Sequence, residues 1–302
     1  MTGCEITNII SQLNNYFAYL ANVKNSSDNT IQAYRRDLDK FVSFANENDI
    51  TDFSLVNAET VADFKLYLAN KGLSASSVSR TLSSLRSLFQ FLIANNVCSE
   101  NPAKAVHNDK VEKKALTVLT SKEVEKLLSS PDLNDIKGMR DKAMLEILYA
   151  TGIKVSELIG LNIEDFNFQL SFIRCGSGDK ERFIPIYPIA AKAVVTYLEK
   201  SRKLLVADTR EKALFVNVTG ERMTRQGFWK ILKAYVSQAG INKDITPHTL
   251  RHSFAAHLLE NGADIHDIQL ILGHSDIAST QRYAQFLKDK MNNSYIKFHP
   301  RA

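Results

Sequence analysis

The sequence predicts a mainly α protein: an N-terminal helical domain, then a mixed α/β C-terminal domain with a small antiparallel sheet. Three observations lead there. The first hundred residues place apolar side chains at helical spacing between short clusters of capping residues. A polar, lysine-containing stretch without periodicity then divides the chain. Beyond it, a single strand–turn–strand pattern stands among further helices. At 302 residues the chain is long enough to bury two separate cores. Its 44% hydrophobic and 24% charged content suits a soluble globular protein. No run approaches the roughly 18 apolar residues of a membrane span, and Met1 to Ile10 lacks the pattern of a signal peptide. Cys4, Cys98 and Cys175 are odd in number and widely spaced, which suits free thiols in a reducing cytoplasm.

Ser26-Ser27-Asp28-Asn29 caps a helix carrying Ile31, Tyr34, Leu38, Phe41 and Phe44 on one face. Val61, Phe64, Tyr67 and Leu68 carry a second helix, ended by Lys71-Gly72. Ser74 to Ser77 opens a third, with Val78, Leu82, Leu85, Phe89 and Leu92 inward and Arg80 and Arg86 among its exposed positions. The expected domains are 1–102 and 119–302, joined by a linker over 103–118. Thr120-Ser121-Lys122-Glu123 fits a capping box at the start of the second domain. A hairpin is expected from Phe168–Arg174 and Arg182–Ile186 around the turn Gly176-Ser177-Gly178-Asp179. Helices resume from Ala190 onward.

Charge is unevenly spread. Residues 1–110 hold 10 basic against 11 acidic side chains, and the remainder holds 28 against 22, within an overall net of +5. The basic second half is compatible with a phosphate-rich partner, although composition alone does not decide it.

The richest run lies between Thr246 and Tyr283. His248 and Arg251, at i,i+3, share one helical face behind Pro247, a good first helical residue. Gly273 is expected to end a helix and leave His274 at its terminus. Arginine offers a planar fork to phosphate oxygens, histidine exchanges protons near neutral pH, and a nearby tyrosine hydroxyl can act as a nucleophile. His248 and His252, at i,i+4, have metal-ligand spacing. No glutamate stands between them, however, and Arg251 would set a cation beside the metal. The residues by themselves reach a phosphate-handling site and stop there.

The pattern H-x-x-R, then L-G-H, then tyrosine nine residues after that histidine resembles the C-terminal signature of tyrosine recombinases of the XerC/XerD type, in the phage-integrase family; His248, Arg251, His274 and Tyr283 stand in register with it. Ala150-Thr151-Gly152 through Glu157-Leu158 resembles the family's first catalytic box. Thr224-Arg225-Gln226-Gly227-Phe228-Trp229 resembles the start of its DNA-facing helix, and Tyr34-Arg35-Arg36 part of its N-terminal DNA clamp.

The resemblance implies an N-terminal core-binding, SAM-like clamp domain and a C-terminal catalytic domain. Tyr283 would attack a scissile phosphate to give a 3′-phosphotyrosyl link and a free 5′-hydroxyl. No ATP, metal or other cofactor is implied. Arg251 and the first-box cation would neutralise the non-bridging oxygens, His248 would assist proton transfer, and His274 would hold a phosphate oxygen or the nucleophile's surroundings. The implied partner is a double-stranded DNA core site, held by a dimer of this chain or with a paralogous recombinase. Four protomers form the synaptic complex, and a DNA translocase is an optional further partner. The resemblance spans chromosome partition and mobile-element roles, both cytoplasmic. It also implies that Met291 to Phe298 docks into a neighbouring subunit, the alternative being that its apolar residues Met291, Tyr295, Ile296 and Phe298 pack on their own domain. DNA-contact candidates are Tyr34, Arg35, Arg36, Arg80, Arg86, Arg182, Thr224, Arg225 and Gln226.

Two positions depart from the family pattern. Lys154 stands where arginine is usual, keeping charge but losing the bidentate fork. Ser177 stands where a turn lysine protonates the leaving oxygen, and Lys180 in the same turn is the substitute candidate. These departures imply a slowed recombinase. The alternative is a sequence-specific DNA-binding protein on the same fold that no longer cuts.

Overall fold

The computed structural model describes residues 6–107, 116–274, 276 and 279–288. The chain divides into two compact units, residues 1–114 and 115–302.

The first unit is helical: α1 (Ile6–Asn22), α2 (Asp28–Glu47), α3 (Ala58–Asn70) and α4 (Ala75–Ala94). Ser27 and Ser74 cap α2 and α4 with their hydroxyls, each accepting the backbone N–H three residues on. The core is rich in aromatic rings, with Tyr16, Phe41, Phe53, Phe64 and Phe89 fully buried. A buried carboxylate, Asp37 on α2, binds α2 to α4: it accepts from the Thr81 and Ser84 hydroxyls at 3.1 Å each and pairs with Arg80 at 2.8 Å. Ala103, expected in the linker, is instead fully buried in this core. Arg86, expected to be exposed, is half-buried, donating to the carbonyls of Ala103 and Val106.

The second unit opens at α5 (Ser121–Ser129), where Thr120 and Glu123 form the expected capping box. It continues through α6 (Ile136–Thr151), α7 (Val155–Gly160) and a three-stranded antiparallel sheet: β1 (Phe166–Asn167), β2 (Phe172–Cys175) and β3 (Arg182–Pro185). Next come α8 (Pro188–Thr196), a π-turn over Tyr197–Arg202, α9 (Lys203–Leu205), α10 (Arg225–Gln238), α11 (Pro247–Glu260) and α12 (Ile265–Leu272). A last helix, α13, spans 279–288.

The expected first strand of the hairpin is shorter than its apolar run. Phe168 to Ser171 forms a turn because the Asn167 side chain accepts the Leu170 N–H at 2.8 Å and Ser171 adopts φ +51°. The β2–β3 pairing keeps Ile173, Cys175 and Ile184 against the core and Phe183 outward. Helix α6 runs through the middle of this unit, buried on nearly every side. The expected docking segment Met291 to Phe298 lies outside the described residues, as does 108–115 of the expected linker. No helix among the described residues is long and apolar enough to cross a membrane.

Candidate active site

Helix ends build the site. Thr246 caps α11 and Pro247 occupies its first position, where the missing N–H costs nothing. That register leaves His248 exposed on the first turn and buries Arg251 one turn later, at 4% exposure. Gly152 closes α6 in the left-handed region, φ +58°, where a Cβ would lie 2.4 Å from the Phe254 ring. Gly273 closes α12 at φ +63°. Arg251 reaches the freed backbone of both ends: Nη1 donates to the Gly152 carbonyl at 2.5 Å and Nη2 to the Leu272 carbonyl at 2.7 Å. Helix C-terminal carbonyls carry partial negative charge, so they suit a buried guanidinium.

Arg251 also lines a cleft of about 410 Å³ together with Lys154, His248, Arg225 and Trp229. None of the described residues lining it is acidic. The cleft therefore gathers three cationic side chains and one imidazole, which suits a phosphodiester. Lys154 is exposed at the N-terminus of α7, and its backbone N–H donates to the Glu157 carboxylate at 2.8 Å. Thr224 caps α10 as expected, with Arg225 and Gln226 exposed at its start.

His274 follows Gly273. Its Nδ1 lies 2.9 Å from the Thr280 hydroxyl. Burial first, then the charges of Arg251, Lys154, Arg282 and Arg182, push its pKa down to about 4. It is a neutral imidazole at pH 7.

Tyr283 meets a histidine other than the two of the signature. On α13 it is 1% exposed and packs with Phe254, Ile268 and Leu272. Its hydroxyl hydrogen-bonds Nδ1 of His252 at 2.9 Å and does not line the cleft. Burial raises the phenol's pKa, partly countered by Arg251 and Arg282. His252 itself is pushed to about 4 by burial and then by the charges of Arg282, His248 and Arg251. In the sequence His252 stands out only by its metal-ligand spacing from His248. Its i,i+4 relation to His248 was the available signal, and the two rings lie 6.3 Å apart, centroid to centroid.

Ser177 and Lys180 are exposed in the β2–β3 turn and are not among the described residues lining the cleft. Arg182, expected at the DNA, turns inward onto Glu157 and the Ile271 carbonyl instead. In the first unit Arg35 and Arg36 are exposed, with the Arg35 guanidinium 4.2 Å from the centroid of Phe17. Tyr34 is half-buried and stacks on Tyr16.

Comparison with known proteins gives concordant results. Residues 117–290 match the model of the phage integrase family, and residues 13–96 match that of the phage integrase N-terminal SAM-like domain. The chain is 43% identical to tyrosine recombinase XerD of Staphylococcus epidermidis over 95% of its length and 98% of that protein's. It is 42% identical to tyrosine recombinase XerD of Oceanobacillus iheyensis, over 96% and 98% respectively. Among solved structures, a XerH site-specific recombinase bound to palindromic difH substrate superposes with a TM-score of 0.75 at 24% identity, covering 94% of this chain and 83% of that one. The XerA recombinase is 28% identical with a TM-score of 0.53, covering 97% and 99%.

Proposed function

The chain belongs to the phage integrase family of tyrosine recombinases, and from that membership we propose that it cuts and rejoins DNA at a specific core site with Tyr283 as nucleophile. The observation that carries this reading is the cleft holding Lys154, His248 and Arg251 on one wall system, with His274 close enough for both cations to depress its pKa. In the cutting step the Tyr283 oxygen forms a bond to phosphorus and the P–O5′ bond breaks. The phenolic proton leaves to a base, for which exposed His248 is the candidate, and the departing 5′-oxygen takes a proton from water or from the Lys180 ammonium of the β2–β3 turn. Lys154 and Arg251 neutralise the charge that builds on the non-bridging oxygens. A 5′-hydroxyl then attacks the phosphotyrosine, re-forming the P–O5′ bond and freeing the phenol.

The Tyr283–His252 pair is the stored state of the nucleophile. Cutting requires the phenol to leave His252 for a scissile phosphate held by Arg251, whose charge already acts on it. DNA binding or a neighbouring protomer supplies that displacement. The partner is a duplex core site occupied by two protomers, with four in synapsis. In this reading Arg225 and Gln226, exposed at the start of α10, meet base edges in the major groove, and the exposed Arg35 and Arg36 meet phosphates.

A second reading is favoured by Lys154, Ser177 and the withdrawn phenol together: a protein that binds the core site and no longer cuts it. Incubation with a nicked duplex selected by the protein from a randomised library separates the two. The recombinase reading expects a covalent protein–DNA adduct in the presence of chelator, absent from Tyr283→Phe. Binding without adduct at long incubation supports the second reading.

A further inference from the structure

Arg182 lies on β3, and its side chain is 14% exposed. Its Nη1 and Nη2 donate to the two carboxylate oxygens of Glu157 at 3.0 Å each, a bidentate pair. Its Nε donates to the Ile271 carbonyl at 2.8 Å. The guanidinium also covers the backbone of Gly273: a Cβ there would lie 3.0 Å from Cζ and 3.1 Å from Nη1. Helix α7 and the end of α12 thus meet on this one planar group, carried by β3.

Each segment carries a residue of the proposed chemistry. Glu157 accepts the backbone N–H of Lys154 at 2.8 Å, fixing the peptide that projects the first-box cation. Burial alone would raise the Glu157 pKa. The Arg182 hydrogen bonds and the Lys154 N–H outweigh it and hold the carboxyl below its ordinary range, so it is ionised at neutral pH. On the other side, Ile271 adjoins Leu272, whose carbonyl holds Arg251, and Gly273, which leads into His274. The β3 strand itself follows the turn that carries Ser177 and Lys180. An unbroken chain of hydrogen bonds and covalent links thus runs from Lys154 through Glu157, Arg182 and Leu272 to Arg251.

We propose that Arg182 is a positioning residue that holds Lys154 and His274 in register with Arg251, and is not a phosphate contact. The proposal rests on the reading of the chain as a strand-cutting enzyme. The requirement is for arginine itself. A lysine ammonium keeps the charge but cannot place two donors on Glu157 and a third, in the same plane, on Ile271. A cation that only contacts backbone phosphate away from the scissile group behaves in the opposite way: its loss weakens binding and lowers the salt slope, while the rate at saturation is kept.

The experiment compares the wild type with Arg182→Lys, Arg182→Gln and Glu157→Gln, each first checked for cooperative unfolding. The DNA probe is the nicked duplex selected from a randomised library. At saturating duplex the single-turnover adduct rate is expected to fall by about 10-fold or more in Arg182→Lys, the effect of a misplaced catalytic group. The Kd for the duplex should stay within about twofold, with an unchanged slope against salt; losing a phosphate contact would reduce that slope by about 0.9. A normal rate at saturation, with weaker binding and the reduced slope, overturns the proposal.

NMR supplies readouts that do not depend on cutting. The Lys154 amide is expected to exchange faster in Arg182→Lys and Glu157→Gln. The His274 titration midpoint should rise in Arg182→Gln, where Arg251, Lys154 and Arg282 remain as the charges acting on it and Thr280 as its hydrogen-bond partner. If the wild type makes no adduct, the recombinase reading fails and these readouts still decide the linkage. An unmoved amide and an unmoved midpoint contradict it.

Discussion

The hydroxyl of Tyr283 and Nδ1 of His252 lie 2.9 Å apart, with their ring centroids 5.6 Å apart, and the phenol is almost wholly buried. The neutral state of His252 suits this contact, because a neutral ring keeps one nitrogen free to accept and one N–H to donate. The contact is worth about 1 kcal/mol, the net value of an ordinary protein hydrogen bond. Replacing His252 by alanine should therefore release the phenol more often. The expected outcome is an adduct rate about fivefold higher on a nicked duplex, with a small loss of thermal stability. An unchanged or lower rate would show that His252 does more than store the nucleophile.

Acid should weaken the second unit. Both His252 and His274 have folded pKa values of about 4, below the ordinary value of 6.5. Their neutral forms are the folded forms, so stability is complete above the unfolded pKa. As pH falls from about 6.5 towards 4 the unfolded chain takes up protons that the folded chain does not. Stability then drops by up to about 1.4 kcal/mol per pH unit for His252, and by less for the half-buried His274, whose charge the solvent screens. The decline should be shallower in His252→Gln. Chemical denaturation of both proteins between pH 4.5 and 7 measures the difference, and equal slopes contradict the assignment.

Restoring the fork at the first box should speed cutting. Lys154 lines the cleft as a point charge, and Lys154→Arg adds planar bidentate donors where charge develops. The adduct rate is expected to rise about 100-fold, the usual worth of one transition-state donor, while Kd changes only a few-fold. Ser177→Lys should raise it further by supplying an acid for the leaving oxygen. If neither change nor their combination raises the rate, the account of these two departures is wrong.

In the first unit Asp37 is the polar keystone, fully buried and bonded to Thr81, Ser84, Lys40 and Arg80. Asp37→Ala takes the carboxylate from both hydroxyls, leaving Ser84 only the Arg80 carbonyl at 3.3 Å, and from both cations. Lys40 and Arg80 are partly exposed, which screens their share, so the expected loss is about 2 to 3 kcal/mol. Urea unfolding followed by Tyr and Phe signals should show it. A loss below 0.5 kcal/mol would mean that the packed aromatic rings alone hold α2 to α4.

Local signals made much of this legible in the sequence. Capping residues act within one turn, so Ser27, Ser74, Thr120 and Thr246 mark their helices directly. The spacing of His248 and Arg251 puts both on one cleft because a single helix carries them. What sequence spacing cannot carry is the direction of a long side chain across the fold. Arg182 lies 25 residues from Glu157 and 89 from Ile271, and nothing local turns it inward instead of out to DNA. Tyr283 likewise stands in register with the signature, yet packing of Phe254, Ile268 and Leu272 decides which histidine its hydroxyl meets. The Phe168 to Ser171 turn was hidden by its apolar side chains, because one asparagine side chain overrides the strand pattern there.

The most direct test of the whole account is to digest the chelator-treated protein–DNA product and locate the nucleotide by mass spectrometry. The account predicts a single modified peptide, with the 3′-phosphate esterified to Tyr283. A phosphate on any other side chain, or cleaved DNA whose ends carry no peptide, would contradict it.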